Sequence, residues 1–161
     1  MRRSLLTSDV GLGILALTLL VPKPALGQDD HGSVVPWGDN DYGQCNVPPP
    51  NERFVAVAAR FAHSLGLKAD GSIVAWGNNA YGESNPPPGG PNAGFVGVAA
   101  GNNHSLGLKG DGSIVAWGLN YSGQCNVPAP NSGFVAVAAG AGHSLGLKAN
   151  SSIVAWGWND S

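Results

Sequence analysis

An internal repeat constrains how this chain can fold more than any other feature of its sequence. Three stretches that begin at Phe54, Phe95 and Phe134 align without a gap, and the first of them reads FVAVAARFAHSLGLKADGSIVAWG. Tryptophan recurs near the end of each unit at spacings of 39, 41 and 39 residues, at Trp37, Trp76, Trp117 and Trp156. Self-similarity at a period of about 40 residues is typical of proteins that stack one small unit several times. We therefore interpret 28–161 as a repeat region, with copies that begin near 54, 95 and 134 and a partial copy at 31–50.

Each copy contains three apolar runs separated by turn-forming residues, a pattern that predicts a small antiparallel sheet. In the first copy these runs cover 54–59, 63–68 and 73–76. The second run alternates leucine with serine or glycine, so its large side chains face one way and its small ones the other. We expect the bulk of one copy to fill the hollow of the next.

The residues between the second and third runs predict a tight hairpin. An Asp-Gly pair lies at 70–71 and recurs at 111–112. This pair favours a type I′ turn, in which both central residues have positive φ. The third copy has Asn150-Ser151 instead. Because serine tolerates positive φ poorly, we expect this hairpin to be the least stable of the three.

A fourth, shorter strand is predicted in the polar segment that follows each tryptophan. It covers 44–47, 83–85 and 124–127, and proline stops it each time. Four strands per unit at a period of about 40 residues are typical of a β-propeller blade. The predicted fold class is therefore all-β, with about three and a half blades of four antiparallel strands in an incomplete propeller.

The first residues have the order of an export signal. Two arginines precede an apolar run at 10–21, and the small residues Ala25 and Gly27 suit cleavage before Gln28. A run of about 12 apolar residues is shorter than the roughly 20 that a membrane span needs. We predict a signal peptide at 1–27 and a secreted protein, either periplasmic or extracellular.

The composition of the remaining chain limits the classes of partner. Removal of 1–27 leaves 5 basic and 9 acidic side chains, a net charge of −4. A mildly acidic surface without a basic run argues against nucleic acid and against a membrane surface as partners. We therefore expect an unidentified protein partner, no nucleic acid and, after signal removal, no membrane.

The repeat resembles that of the regulator of chromosome condensation superfamily in its short, bacterial-style form. The resemblance lies in the string G-x-x-H-S-L-G-L-K-x-D-G-S-I-V-A-W-G followed by N-x-x-G-Q-C-N-V-P, and it covers about residues 31–161. Arg60 departs from it, because the other copies have Gly101 and Gly140 there. The resemblance implies a β-propeller and two kinds of precedent, a nucleotide-exchange factor for a small GTPase and a secreted inhibitor that caps a β-lactamase. Predicted export disfavours the exchange factor as a precedent, because its GTPase partner is intracellular.

The residue types that most often carry catalysis recur in every copy. His63, His104 and His143 each precede a serine. A hydrolase needs one such set beside an oxyanion hole, whereas three equivalent sets favour a structural histidine that bonds the backbone near a turn. Equivalent histidines on successive blades are too far apart to share a zinc ion, and no Cys-x-x-Cys or His-x-x-x-His spacing exists. We predict no catalytic residue, no metal and no cofactor.

The two cysteines occupy equivalent positions in different copies. Cys45 and Cys125 are two repeats apart, and the copy between them has Ser84. Blades so far apart would hold the two sulfur atoms beyond disulfide reach. We expect free, half-buried thiols.

Positions that differ between copies are the best candidates for partner contacts, because positions that stay the same serve the blade. The differing positions fall in the turns between strands, where binding residues are often found. Exposed aromatic side chains there would be binding hot spots. The candidate residues are Tyr42, Arg60, Phe61, Tyr81, Asn102, Asn103, Tyr121 and Trp158.

The predicted function is that of a secreted, non-enzymatic repeat protein that acts as a protein–protein interaction module. The alternative is a carbohydrate-binding or enzyme-associated propeller at the cell surface, in which aromatic residues of the turns stack on sugars. A glycan array would separate the two.

The number of predicted strands bears on closure of the propeller. The segments 33–37 and 44–47 precede the first full copy, and the chain supplies thirteen predicted strands in all. A closed ring has about 4 to 8 blades. We therefore expect an open arc with an exposed apolar blade face at its C-terminal end, which offers a surface for self-association. A fragment of a longer propeller is favoured over a ring completed by two or more chains.

Overall fold

The computed structural model describes residues 32–87 and 94–159, and the predicted signal peptide at 1–27 lies outside these residues. The described part is all-β, with three sheets of three antiparallel strands, each ordered as in the sequence. We call these sheets blades 1, 2 and 3. Their strands are β1 (Phe54–Arg60), β2 (His63–Lys68), β3 (Ile73–Gly77), β4 (Phe95–Ala100), β5 (His104–Lys109), β6 (Ile114–Gly118), β7 (Phe134–Ala139), β8 (His143–Lys148) and β9 (Ile153–Gly157). No helix of the described residues is long and apolar enough to cross a membrane.

The middle strand of each blade has the predicted division into a large and a small face. A Cβ atom at Gly107 would lie 2.7 Å from Cδ1 of Phe95 in the same blade and 3.2 Å from Cδ1 of Ile73 in the preceding blade. Gly146 has the same relation to Phe134 and Ile114. The absence of a side chain at this position therefore makes room for a ring and for an isoleucine from the neighbouring blade. This confirms that the bulk of one copy fills the hollow of the next.

The hydrophobic core lies between blades. Leu65 and Leu67 of blade 1 pack against Phe95 and Trp117 of blade 2. The equivalent leucines of blade 2 pack against the phenylalanine of blade 3 in a second cluster. Full burial of one such leucine stabilises the fold by about 1.5–3 kcal/mol. Each blade thus covers its neighbour with two different surfaces, which we call the leucine face and the phenylalanine face.

The predicted fourth strand is wrong, and each blade has three strands. The segments at 44–47, 83–85 and 124–127 form no ladder and lie in turns or irregular backbone. The carbonyl oxygen of Gln44 instead accepts hydrogen bonds from Nε1 of Trp76 at 2.8 Å and from Oγ of Ser64 at 3.1 Å. Side chains of the following blade therefore use an acceptor that a ladder would need, and the prolines after it have no N–H to donate.

The predicted strand at 33–37 also forms no ladder. It corresponds to the third strand of a blade, and no strand precedes it in the described residues to pair with it. Its Val34 exchanges two hydrogen bonds of 2.8 Å with the side chain of Asn51. Ile114 makes the same pair of bonds with Asn131 and also pairs with β5. The segment therefore has the side-chain contact of a blade strand without the strand partner.

The predicted type I′ hairpin is wrong in its backbone geometry. Gly71 has a φ of 80° and donates its N–H to the Lys68 carbonyl at 2.9 Å, whereas Asp70 does not have positive φ. Asp70 Oδ1 accepts hydrogen bonds from the N–H and the hydroxyl of Ser72, at 2.9 and 2.7 Å, which hold the pKa of this carboxyl below its usual range. The aspartate therefore stabilises the turn through its side chain, and only the next residue is left-handed. In the third copy that residue is Ser151, with a φ of 69°.

Candidate functional site

The two turns of each blade lie side by side at one end of the sheet. The N–H of Asn78, after β3, donates to the carbonyl of Ala62, between β1 and β2, at 2.8 Å. Leu119 and Asn103 form the same bond in blade 2 at 2.8 Å. These hydrogen bonds bring the variable turns onto one surface. We call it the turn face, and it consists of residues 39–43, 60–62, 78–82, 101–103, 119–123, 141–142 and 158.

All eight predicted partner-binding residues lie on the turn face. Five of them are large side chains with considerable exposure. The exposed fractions are 57 % for Tyr42, 70 % for Phe61, 47 % for Tyr81, 88 % for Tyr121 and 57 % for Trp158. The other three are Arg60, Asn102 and Asn103. The structure therefore gathers on one surface residues that are up to 116 positions apart in the chain.

Two of the predicted tyrosines are in contact across the junction of blades 1 and 2. The ring centroids of Tyr81 and Tyr121 are 6.2 Å apart and their planes meet at 80°, an edge-to-face arrangement that aromatic pairs favour. The N–H of Tyr81 donates to Oε2 of Glu83 at 2.7 Å, which stabilises its turn. The two tyrosines are not equivalent in the repeat, since Tyr121 aligns with Ala80. Their contact was therefore not evident from an alignment of the copies.

Another predicted pair joins the same two blades through a hydrogen bond. Nε of Arg60 donates to Oδ1 of Asn102 at 2.8 Å. In blade 2 the position of Arg60 is taken by Gly101, where a Cβ atom would lie 2.9 Å from the carbonyl oxygen of Gly140. At this position blade 2 has a glycine whose backbone lies close to blade 3, whereas blade 1 has an arginine whose side chain reaches blade 2. The tyrosines are the stronger candidates for a partner, because they offer large and exposed aromatic side chains, up to the 88 % exposure of Tyr121.

An open groove, which sequence reasoning missed, adjoins the turn face on blade 1. It encloses about 340 Å³, and Val34, Trp37, Val57, Phe61 and Trp76 are among its lining residues. The Trp37 side chain is 87 % exposed. Among the described residues, the segment at 33–37 lies beside blade 1 with no strand paired to it, and the groove lies between the two. No signal within one copy of the repeat indicates it.

The repeated histidines connect one blade to the next. Nε2 of His63 lies 3.0 Å from Oγ of Ser105, and that hydroxyl donates to the Glu83 carbonyl at 2.9 Å. Nε2 of His104 lies 3.0 Å from Oγ of Ser144 in the same way. Because each hydroxyl hydrogen is used by a carbonyl, Nε2 must carry the proton that the serine accepts. At Nε2 the partner is therefore the serine of the next blade, which the sequence did not indicate, and the backbone carbonyl lies one hydrogen bond further on.

Burial keeps these histidines neutral. It lowers the pKa of His63, and it lowers the pKa of His104 from 6.5 to about 4. A serine nucleophile requires a histidine that accepts its proton. Here the histidine donates, and Ser105 has no exposed surface. The geometry is that of a joint between blades, and the lack of a catalytic residue stays a prediction.

Glu83 is a buried carboxyl in a position that glutamine occupies in the other copies, as Gln44 and Gln124. One of its oxygens accepts the N–H of Tyr81, and the other, Oε1, has no hydrogen-bond partner in the described part of the protein. A buried acceptor without a donor destabilises a fold. Sequence reasoning did not single out this residue, although its departure from glutamine is visible in the repeat.

The cysteines are free thiols of intermediate burial, as predicted. Sγ of Cys45 lies 3.3 Å from the Asp39 carbonyl, and Sγ of Cys125 lies 3.3 Å from the Leu119 carbonyl. Burial raises the pKa of Cys125 to about 11, so this thiol stays protonated at neutral pH. Within residues 32–87 and 94–159 no group of three His, Cys, Asp or Glu side chains is placed to hold a metal ion.

Comparisons of structure place the chain among β-propellers. It aligns with Prp20p of Saccharomyces cerevisiae with a TM-score of 0.66 and 21 % identity over 78 % of this chain and 41 % of that one. Yeast RCC1 (Prp20) in its complex with Kap60 gives a TM-score of 0.63 and 22 % identity, over 75 % of this chain and 38 % of that one. The CRINKLY WD40 ectodomain of the receptor kinase ACR4 from Arabidopsis thaliana gives 0.63 and 28 %, over 81 % and 45 %.

The chain therefore spans less than half the length of these solved structures. A comparison with curated proteins found no match. The family model described as Regulator of chromosome condensation (RCC1) repeat matches at residues 54–83, 95–124 and 134–161. These matches cover more than half of the chain and coincide with the three blades. The chain belongs to the regulator of chromosome condensation repeat family, and its three blades form an incomplete β-propeller.

Proposed function

We propose that this protein is exported and that it is a non-enzymatic module that binds another protein through the turn face. The observation that carries this proposal is the contrast between a repeated framework and a varied surface. The strands, the leucine faces and the histidine–serine joints recur in register, whereas the turns carry different side chains in each blade. Exposed turns with different side chains, carried by strands that recur in register, are the arrangement expected of a binding site on a rigid scaffold.

The edge-to-face pair of Tyr81 and Tyr121 is the centre of the proposed site. Tyrosine provides a large contact area with few rotatable bonds, so little conformational freedom is lost on binding. Tyrosine is also enriched among the residues that dominate binding energy. Tyr121 presents 88 % of its surface and stands over the junction of two blades, with Tyr81 against it.

The relatives favour a protein partner as a class. Prp20 of yeast, with the same fold, was solved bound to Kap60, and Prp20p has been characterised for its binding to Gsp1p and histones. The signal-like order of residues 1–27 supports a partner outside the cytoplasm. If export occurs as proposed, mass analysis of the secreted protein will show a chain that starts at Gln28. A full-length chain recovered from the membrane would contradict export.

Affinity capture from the exported fraction of the source organism tests the binding site. The protein is immobilised in three forms, the wild type, the double variant Tyr81→Ala/Tyr121→Ala, and the control Val96→Ala. Val96 is 56 % exposed and lies at the opposite end of blade 2 from the turn face. We expect the wild type and the control to retain one protein. The double variant should bind it at least about 30-fold more weakly, since loss of a hot-spot side chain costs about 2 kcal/mol or more.

Two results would contradict this assignment. A captured protein that binds all three forms equally would show that its binding surface lies elsewhere. A glycan array that shows sugar binding by the wild type and none by the double variant would favour the carbohydrate-binding alternative, in which the exposed rings stack on sugars.

A further inference from the structure

The backbone of blade 1 follows its own path where the other two blades have a glycine. At this position Arg60 takes the place of Gly101 and Gly140. A Cβ atom at Gly101 would overlap the imidazole of His104, so blade 2 has no room for a side chain there. In blade 1 the first strand instead continues to Arg60, which pairs with His63, whereas β4 and β7 end before the glycine. Blade 1 thus has a turn that differs from the repeat in its backbone as well as in its side chains.

This turn contains a strained residue. Phe61 has a φ of 56°, a left-handed conformation that is unfavourable for a residue with a bulky side chain. Its counterparts Asn102 and Ala141 do not have positive φ, although their turns connect the same pair of strands. The connection itself therefore does not require the strain. Strained backbone clusters at sites of binding, and the residue that this turn carries to the turn face is Arg60.

A hydrogen bond holds the guanidinium of Arg60 in one orientation. Its Nε donates to Oδ1 of Asn102 at 2.8 Å, across the junction of blades 1 and 2. A guanidinium has five N–H donors, and this bond uses one of them. Within the described ranges, the donors of its two terminal nitrogens have no hydrogen-bond partner, and the side chain is exposed. Both blades of this junction are described, so the guanidinium lies within the arc and not at one of its ends.

Arg60 is the single cation of the turn face in the part of the chain that the structure describes. The other described lysine and arginine residues lie toward the opposite ends of the blades, and they are Arg53, Lys68, Lys109 and Lys148. The turn face also carries Asp39 and Asp41, and neither of these described carboxylates forms an ion pair with Arg60. Charges farther away than about 8 Å are largely screened at physiological ionic strength, so more distant carboxylates have little effect on the guanidinium.

We propose that Arg60 binds a side-chain carboxylate of the protein partner. This inference rests on the proposed function, because it names the chemistry of the segment that the turn face binds. The planar fork of a guanidinium matches the two oxygens of a carboxylate, and an orientation fixed in advance reduces the entropy lost on binding. Phosphorylated segments are recognised by clusters of arginines, whereas a single arginine suits the single charge of a carboxylate.

The position of Arg60 indicates what surrounds this carboxylate in the partner. The turn at 60–62 is bonded to the turn that carries Tyr81, through the N–H of Asn78 and the carbonyl of Ala62 at 2.8 Å. Tyr81 in turn contacts Tyr121 of blade 2. A partner segment with an acidic residue near apolar residues would therefore place its carboxylate on Arg60 and its apolar side chains on the tyrosine pair.

Selection from a library of random peptides displayed on phage tests this chemistry. The immobilised proteins are the wild type, Arg60→Gln and the control Arg53→Gln. Arg53 is an exposed arginine of the same blade at the end opposite the turn face, so its replacement removes the same charge from another place. We expect aspartate and glutamate to be enriched among the peptides that the wild type and the control retain. Arg60→Gln should retain peptides without this enrichment.

A double-mutant cycle then identifies the pair of groups. One selected peptide is synthesised with its acidic residue and with the corresponding amide, and its affinity is measured by fluorescence anisotropy. Loss of the carboxylate should weaken binding to the wild type about 10-fold or more, and Arg60→Gln should weaken binding of the acidic peptide equally. The two changes together should weaken binding no further than either alone. Arg60→Lys keeps the charge without the fork and should give an intermediate loss.

The variant Asn102→Ala separates binding from the structural bond between blades. It removes the same hydrogen bond as Arg60→Gln but keeps the guanidinium. We expect it to weaken binding of the acidic peptide less than Arg60→Gln does. Equal losses would show that the peptide depends on the bond between blades, which would overturn the proposal.

The other outcomes distinguish this inference from the proposed function. Acidic enrichment that persists in Arg60→Gln, or effects in the cycle that simply add, would overturn the inference. Peptides that bind the wild type without acidic enrichment and fail to bind Tyr81→Ala/Tyr121→Ala would overturn it and leave the proposed function intact. Peptides that the double tyrosine variant retains as well as the wild type does, or a wild type that retains none, would contradict both.

Discussion

Replacement of His104 by alanine removes a joint in the middle of the arc. The side chain has no exposed surface, and its Nε2 lies 3.0 Å from Oγ of Ser144 in the next blade. Gly101 packs directly against the imidazole, since a Cβ there would overlap the ring. His143 occupies the same position in blade 3, but it is exposed. Its replacement by alanine is therefore a matched control for the loss of a histidine from the same place in the repeat.

The expected loss of stability has two parts and one compensation. A buried hydrogen bond contributes about 1 kcal/mol, and Ser144 keeps its bond of 2.8 Å to the Gln124 carbonyl, so the serine is not left without a partner. The space left by a buried ring costs about another 2 kcal/mol. Nδ1 of His104 has no hydrogen-bond partner in the described structure, so its removal returns about 1 kcal/mol. We expect the free energy of unfolding to fall by about 2 kcal/mol.

Urea unfolding at neutral pH measures this change. The experiment is done at a concentration where light scattering gives the mass of one chain, so that self-association does not contribute. Tryptophan fluorescence and circular dichroism must give the same transition for a two-state analysis to apply. For His143→Ala we expect a change of less than about 0.5 kcal/mol, as at other exposed positions.

Equal losses in the two variants would refute this reasoning, because they would show that the histidine acts within its own blade. An unchanged midpoint for His104→Ala would also refute it.

Three further predictions concern stability. The pKa of His104 falls from 6.5 to about 4 on folding, so the unfolded chain takes up a proton first as the pH drops. Between pH 6.5 and pH 4 the free energy of unfolding should therefore fall by about 2–3 kcal/mol more in the wild type than in His104→Ala, as measured by urea titration. Ser151→Gly should raise the free energy of unfolding by about 1 kcal/mol, because glycine adopts the φ of 69° at this position without strain. Gly112→Ala places a side chain at a φ of 79° and should lower the free energy of unfolding by more than about 1 kcal/mol, and thermal unfolding measures both changes. Glu83→Gln keeps the acceptor for the Tyr81 N–H and removes a buried carboxyl, so it should stabilise the fold by about 1 kcal/mol in the same assay, and a loss would mean that the carboxylate has a partner.

Features that depend on one copy of the repeat were predictable. Alternation of leucine with small residues predicted a strand at 63–68, and the structure has β2 at His63–Lys68 with the same ends. The free thiols followed from the separation of Cys45 and Cys125 in the repeat, and both are free. These outcomes depend on local side-chain pattern and on repeat spacing, which the sequence contains directly.

Features that depend on contact between copies were not predictable in the same way. His104 and Ser144 are 40 positions apart, and nothing in either copy indicates which residue the imidazole faces. The same limit explains the error about the fourth strand, because the Gln44 carbonyl is used by Trp76 from the following copy. For the candidate site, the turns were identified, but the contact between Tyr81 and Tyr121 depends on the packing angle of two blades.

The histidine–serine joint has a consequence for how such a gene can change in length. Each repeat contributes a histidine toward the blade after it and a serine toward the blade before it, as His63, Ser105 and His104 show. A recombination event that duplicates or deletes one whole unit of about 40 codons therefore leaves every remaining joint with both halves. Rearrangements by a fraction of a unit would instead leave a buried imidazole or hydroxyl without its counterpart. Selection for a folded product should thus restrict changes in length to whole units, while the codons of the turns remain free to diverge.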